Sequence, residues 1–437
     1  MTRCRSTRPG SRSHRWFRRS TVSFKVGGVR SATVLLGLVA GAAFAHGLAP
    51  QTLSVAPNPW TPGGLVVPTT FGLLVTDDRC TWQWVCPDHL GLGPREQPTW
   101  FAAPSGTLFA AAFSGLFVSR DRGCSFTRQS FFDGTGAADL AVGQGALFVT
   151  SSKYGVMNGL AVSTDDGQTF SWTSLRENDA FFNSVKVAPS RPQRVYVSSW
   201  YLDPRRARLS VSDDRGQTFS AIDVPVGLAP GSVFVVHAVS TSDPDVVFAS
   251  ITDDSALPVR SSLLRSVDGG RTFSVVLQAD GRVSSVAQDG ARWWVAVGDR
   301  VYASTDGVSF AVLPSPRQRA CVARVEAETL VCGRQSIEDG FGLATLGESV
   351  TPLLTWDRIS GPISCPAGSP AATACAVTWP VELAELGLPA DHVAACGAPV
   401  PEPPAKKTGC ETTSGGVLVA AVGFFLQRRR RVESGGE

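Results

Sequence analysis

Short apolar runs separated by turn-forming residues recur between residues 52 and 356, and no long amphipathic helical stretch interrupts them. Ser184 to Ser198 reads as a strand, a Pro-containing turn and a second strand, and Leu53 to Pro68 and Val235 to Ser250 repeat that order. A further apolar run then leads into a polar octapeptide, Ser-x-Asp-x-Gly-x-Thr/Ser-Phe, at Ser119 to Phe126, Ser163 to Phe170, Ser212 to Phe219 and Ser266 to Phe273. A charged, Gly-containing turn between two apolar runs is a β-hairpin signal. Each unit therefore supplies four strands.

The aspartates Asp121, Asp165, Asp214 and Asp268 recur at steps of 44, 49 and 54 residues, a period that belongs to solenoids and propeller blades. Units begin near Thr52, Thr99, Ala137, Phe182, Val233, Val283 and Arg319. Seven units of about 44 residues predict an all-β, seven-bladed β-propeller of four-stranded antiparallel sheets.

Each octapeptide position has a physical role. The hydroxyls of Ser119, Ser163, Ser212 and Ser266 and the carboxylates that follow can accept backbone N–H groups of a tight turn. Gly123, Gly167, Gly216 and Gly270 supply a backbone angle that other residues reach only with strain. Phe126, Phe170, Phe219 and Phe273 stand where the chain re-enters a strand and can bury between sheets, for about 2 kcal/mol each.

The octapeptide resembles the Asp box, or bacterial neuraminidase repeat. That resemblance implies a hairpin between the third and fourth strands of each blade, with the carboxylate as scaffold. It extends over residues 52–356 once weaker copies are admitted. Ser304, Asp306, Gly307, Ser309 and Phe310 form a copy one residue short. Thr76, Asp78, Thr81 and Trp82 form one without its Gly, in which Cys80 aligns with Cys124, and Gly342 to Leu354 keeps the apolar frame without the Asp. Similar repeats occur in sialidases, in some glucanases that cleave with two aspartates, and in assembly factors of photosynthetic complexes.

Composition agrees: 43% hydrophobic residues, 44 Gly, 29 Pro and 18% charged residues describe a turn-rich β chain. A single domain suffices, because blades bury their faces against one another. The formal charge of +3 includes arginine-rich ends, so the folded part is near neutral or acidic, which argues against nucleic acid as a partner.

Residues 1–45 read as a signal peptide with an extended basic segment: the apolar run Ala32 to Phe44 is followed by Ala43-Phe44-Ala45, and cleavage after Ala45 leaves His46 first. Arg18-Arg19 raises twin-arginine export as an alternative, and a downstream start as another. The propeller occupies 46–356, a Cys-containing extension 357–398 and a Pro-rich spacer 399–408. At 409–437, Cys410, the apolar segment Gly415 to Leu426 and Arg428 to Arg431 resemble the myxobacterial C-terminal sorting signal, which implies surface display with processing at Cys410. Twelve apolar residues cover about 18 Å of helix against a hydrocarbon core of about 30 Å, which favours a transient stop; a lasting membrane anchor is the alternative.

With Cys4 in the leader and Cys410 in the tail, eight cysteines remain, and export makes disulfides the expectation. Cys321 and Cys332 lie on adjacent strands of one hairpin; Cys365 is placed with Cys375, Cys86 with Cys124, and Cys80 with Cys396 as the remainder. There is no Cys-x-x-Cys, and His14, His46, His89, His237 and His392 are scattered, so neither metal nor cofactor is expected.

Catalytic signatures are sparse. A sialidase needs an arginine triad, a Tyr nucleophile with a Glu partner and an Asp acid/base. Arg358-Ile359-Ser360 is the nearest string to the opening motif but falls after the last blade, and only Tyr154, Tyr196, Tyr201 and Tyr302 are available. The pairs Asp213-Asp214 and Asp253-Asp254 read as turn or octapeptide acids. Extra length falls in the second-to-third connections Ser151 to Asn158, Ser199 to Arg208, Thr252 to Ser262 and Gly333 to Gly340. These are expected to bring Tyr154, Trp200, Tyr201, Asp203, Arg205, Arg206, Asp253, Asp254 and Arg260 to one rim, suited to sugar stacking or a protein hot spot. A non-catalytic, monomeric surface propeller for a polysaccharide or envelope protein is the favoured expectation; a secreted glycoside hydrolase with acids on the rim is the rival.

Overall fold

The computed structural model describes residues 49–394 and Cys396, apart from 94–95, 225–231, 256, 315–320 and 336–339. The expected leader, spacer and Cys410 segment lie outside the described residues.

Seven antiparallel meanders form a β-propeller, with blades at 56–85, 99–129, 140–177, 180–224, 233–280, 283–312 and 322–354. First strands of neighbouring blades touch and are cross-linked by polar side chains. Asp139 Oδ2 accepts from Val185 N (3.0 Å) and Lys186 Nζ (2.6 Å), Ser184 Oγ from Val236 N (3.0 Å), and Ser285 Oγ from Val322 N (2.7 Å). Apolar side chains fill the wedges between blades. One wedge joins Phe109, Leu116 and Phe132 to Leu147 and Val149, and the next joins Phe148 and Leu160 to Phe182, Val195 and Val197.

The octapeptides lie between third and fourth strands, as expected. In the second blade Ser119 Oγ donates to Asp121 Oδ1 (2.7 Å) and accepts from Gly123 N (2.9 Å), while Asp121 accepts from Ser125 N (2.9 Å) and Ser125 Oγ (2.6 Å). The same bonds recur around Asp165, Asp214 and Asp268, and in the shorter copy Ser304 Oγ donates to Asp306 Oδ1 and accepts from Gly307 N while Asp306 accepts from Val308 N and Ser309 N. These donors hold the carboxyls of Asp165, Asp214, Asp268 and Asp306 down at about 2. The first blade builds the corner without a glycine: Thr76 Oγ1 accepts from Arg79 N (2.8 Å), and Arg79 adopts φ 59°.

Glycine is required in the corner for a second reason. A Cβ on Gly167 would stand 2.5 Å from the Phe109 ring of the preceding blade, and one on Gly216 3.1 Å from Phe148. The corner thus doubles as a close-fitting plug. The octapeptide phenylalanines beside it are half-buried, with Phe170 edge-on to Phe132 at 5.1 Å.

The ring closes between sheets. The first and seventh blades are each built from one continuous stretch and meet in a core of Leu65, Trp82 and Trp84 with Leu330, Leu343 and Leu354. Thr52 Oγ1 bridges to the Gly333 (3.1 Å) and Gly342 (2.5 Å) carbonyls of the seventh blade. Residues 357–394 then clasp the seam. Strand Ile359–Pro362 pairs in parallel with Trp82–Val85, giving the first blade a fifth strand that sequence reading did not anticipate.

Helix Pro370–Glu385 follows, capped by Ser369 Oγ accepting from Ala372 N (3.2 Å), and its Trp379 leans on Trp84 at 5.5 Å. Sequence reading missed this helix because Pro370 and Pro380 interrupt the pattern and its apolar face is weak.

Four disulfides are present among the described residues. Cys321–Cys332 and Cys80–Cys396 match the expectation. The other two pairings are corrected: Cys86 bonds Cys375, and Cys124 bonds Cys365. Nearness in sequence suggested Cys365–Cys375 and Cys86–Cys124, but the segment after the last blade runs along the first two, placing Cys365, ahead of the helix, against the second blade and Cys375, on the helix, against the first. Three bridges close loops of 241, 289 and 316 residues, each capable, taken alone, of about 5.5 kcal/mol by restricting the unfolded chain in the loop-entropy account.

Two outcomes follow from these packing arrangements. Gly167→Ala, with φ +76° and the Phe109 ring in its path, should lower unfolding free energy by about 2–4 kcal/mol in urea titrations. Gly145→Ala, with φ +75° and open space, should lose only about 1 kcal/mol. The second concerns pH. Burial, then Glu385 and Asp88, push the Glu382 carboxyl up to about 8, so its contribution is intact below about pH 4.5 and is lost as pH rises through 8. Glu382→Gln should leave thermal stability at pH 5 unchanged and raise it at pH 9.

Candidate functional site

A meander places octapeptide corners on one face and second-to-third connections on the other. The connection in the third blade spans 151–157, and there Tyr154 is 76% exposed. In the fourth blade, Ser199 to Arg208 is corrected from a loop to strand: Val195–Leu202 and Arg205–Ser212 pair up to a two-residue turn, Asp203-Pro204. Trp200 and Tyr201 favour extended backbone, and their cross-strand pairing with Ala207 and Arg206 carries the ladder past the sheet edge.

That long hairpin divides its predicted residues between two faces. On one, the Tyr201 hydroxyl donates to Glu177 Oε2 (2.5 Å), Arg208 Nη1 donates to Glu177 Oε1 (3.0 Å), and Arg206 stacks over the Tyr201 ring at 4.1 Å. Burial, and then Glu177, push the Tyr201 phenol up to about 12, so it stays protonated at neutral pH. On the other face Trp200 lies flat against Phe181, rings 4.5 Å apart. Arg205 is exposed at the start of its strand.

In the fifth blade Asp253 accepts from Ser255 N (2.9 Å) and Ser255 Oγ (2.6 Å), which hold its carboxyl below the usual range. Asp254 is bound to Arg282, and Arg260 pairs with Asp280 at 3.1 Å. The expected rim residues thus lie on adjoining blades, with Tyr201 and Arg206 in direct contact. Asp253 and Asp254 do not form a facing acid pair. On the opposite face Asp213 is held by Arg194 (2.6 Å) and Asp214 by Thr218, so that pair is structural too.

Sequence reading missed the apolar part of this face. Phe113 (59% exposed), Met157 and Leu257 (91% exposed) join Tyr154 on second-to-third connections of blades two, three and five, and Leu202 stands at the tip of the fourth blade's hairpin. Lys153 Nζ lies 5.2 Å from the centre of the Phe113 ring and ties the second connection to the third. The available signal was large apolar residues at turn positions, where polar ones are the norm. Of metal-ligand groupings among the described residues there is Cys86, His89 and Cys375, in which both sulfurs are already joined to each other.

No protein-family model matches the chain, and no curated protein matches it by sequence. Among solved structures it is similar to a GH74 xyloglucanase from Xanthomonas campestris at 15% identity, covering 72% of this chain and 65% of that one, TM-score 0.35. It is similar to the extracellular domain of a putative one component system from B. thetaiotaomicron at 12% identity, covering 70% of this chain and 39% of the other, TM-score 0.48. The Hadza microbial sialidase Hz136 matches at 14% identity over 67% of this chain and 72% of its own, TM-score 0.40. The chain spans less than two thirds of the first two. Likenesses at these identities and scores bring no activity to this chain.

Proposed function

We propose that the protein is an exported, non-catalytic propeller that binds a polysaccharide or protein partner on the face of its second-to-third connections. The observation carrying this reading is the run of exposed aromatic and aliphatic side chains, Phe113, Tyr154, Met157, Leu202 and Leu257, across four consecutive blades. Monomeric proteins rarely expose large apolar groups together without a partner. Arg205, Arg206 and Lys153 beside them supply hydrogen-bond donors, while Asp253, Asp254 and Glu177 are committed to turns or arginines. That commitment disfavours the glycoside hydrolase reading, which needs one carboxyl free as an acid and another facing it.

Export is supported by four disulfides, which persist in oxidising compartments. Among the described residues no helix is long and apolar enough to cross a membrane. Surface attachment through Cys410 and the segment after it, in the manner of the sorting signal it resembles, is part of the same proposal, as is the kinship of the octapeptide with the Asp box.

The test pairs a glycan array and labelled envelope fractions with a panel of chromogenic glycosides. Retention should fall about tenfold in Tyr154→Ala combined with Leu257→Ser, and stay unchanged in Asp253→Asn. Turnover of any glycoside that disappears in Asp203→Asn or Asp253→Asn would establish the hydrolase instead.

A further inference from the structure

The plugging of one blade by the next is made at four successive seams and fails at the fifth. In five blades the second-strand residue opposite the one just before the octapeptide is aromatic: Phe109 opposite Val118, Phe148 opposite Val162, Tyr196 opposite Val211, Phe248 opposite Arg265 and Trp294 opposite Ala303. The first four are fully buried, because the glycine corner of the following blade sits on each. A Cβ on Gly167, Gly216, Gly269 or Gly307 would approach Phe109, Phe148, Tyr196 or Phe248 to 2.5, 3.1, 3.5 and 3.3 Å. Trp294 would be covered by the corner of the seventh blade. That corner has shrunk to three residues, 347–349, where the second blade uses seven, 120–126. Trp294 is accordingly only half-buried and lines a groove of about 810 Å³ between the sixth and seventh blades.

We propose that this groove is a binding site for a neutral oligosaccharide, on the face opposite the second-to-third connections and independent of them. The indole offers a flat apolar face, and the small neighbours Ala303, Ala311 and Gly347 leave it unobstructed to a pyranose ring. Around it stand one cation, Arg292, one anion, Glu348, and the hydroxyls of Thr305 and Ser309. One charge of each sign leaves no net field to draw a polyanion or a lipid headgroup, yet provides donors and acceptors for sugar hydroxyls. The volume lies in the range of small-molecule sites and accommodates several sugar units.

The full-length protein is titrated by calorimetry and tryptophan fluorescence with hexamers of glucose, mannose, xylose and N-acetylglucosamine. At least one hexamer should bind with a Kd of about 1 mM or tighter and change the emission. Trp294→Ala should weaken it at least about tenfold, Trp294→Phe should restore most of the affinity, and Arg292→Ala and Glu348→Ala, both at exposed positions, should each weaken it about threefold to tenfold. Tyr154→Ala should leave it unchanged, which separates this site from the rim. Binding of none of the four hexamers, or binding undiminished in both Glu348→Ala and Trp294→Ala with an unchanged melting temperature, would overturn the proposal.

Discussion

The close approach of each third-to-fourth corner to the blade before it is the constraint on which the ring depends. A carboxylate that gathers backbone and hydroxyl donors within its own turn allows the corner to be tight, and glycine lets it press on an aromatic ring. The polar and apolar halves of the octapeptide therefore act together. Hydrogen bonds fix the shape of the plug, and dispersion and burial reward its fit against Phe109, Phe148 and Phe248. These aspartates are satisfied by donors inside their own turns.

Closure poses a different problem. Repeating blades bury one another, but the first and last have no partner until the ends meet, and here neither lends a strand to the other's sheet. The chain solves this with residues beyond the last blade. A parallel fifth strand, a helix and three long-range disulfides hold the first two blades, while Trp356 and Ile359 enter the core shared with the seventh. An oxidising destination and this mode of closure go together, since the bridges that lock the seam form only there.

The two faces consequently differ in character. The corner face is polar and hydrogen-bonded, with the aromatic rings of four blades covered and Trp294 open, whereas the opposite face carries exposed apolar groups on its turns. Extra length is tolerated in the connections of the third to fifth blades, which lie away from the closing seam.

Periodicity in residues 52–356 was sufficient to specify strand order, blade number and the place of the octapeptides, because a repeat that must bury its face against its own copy leaves little topological choice. The pairing of Cys321 with Cys332 was legible for the same local reason, two cysteines closing one hairpin. Tertiary structure alone decided what depends on relations between distant segments. The segment after the last blade places Cys365 against the second blade and, on helix Pro370–Glu385, Cys375 against the first, the acids Asp253 and Asp254 are tied to Ser255 and Arg282, and the hairpin of Tyr201 extends where a loop was read. The same holds for Trp294: its side chain is ordinary in sequence, and only the shortened corner of the next blade, 347–349, determines that it stays uncovered. A residue's register within its strand is set by local pattern, but whether anything lies on top of it is set by the neighbour that the fold brings there.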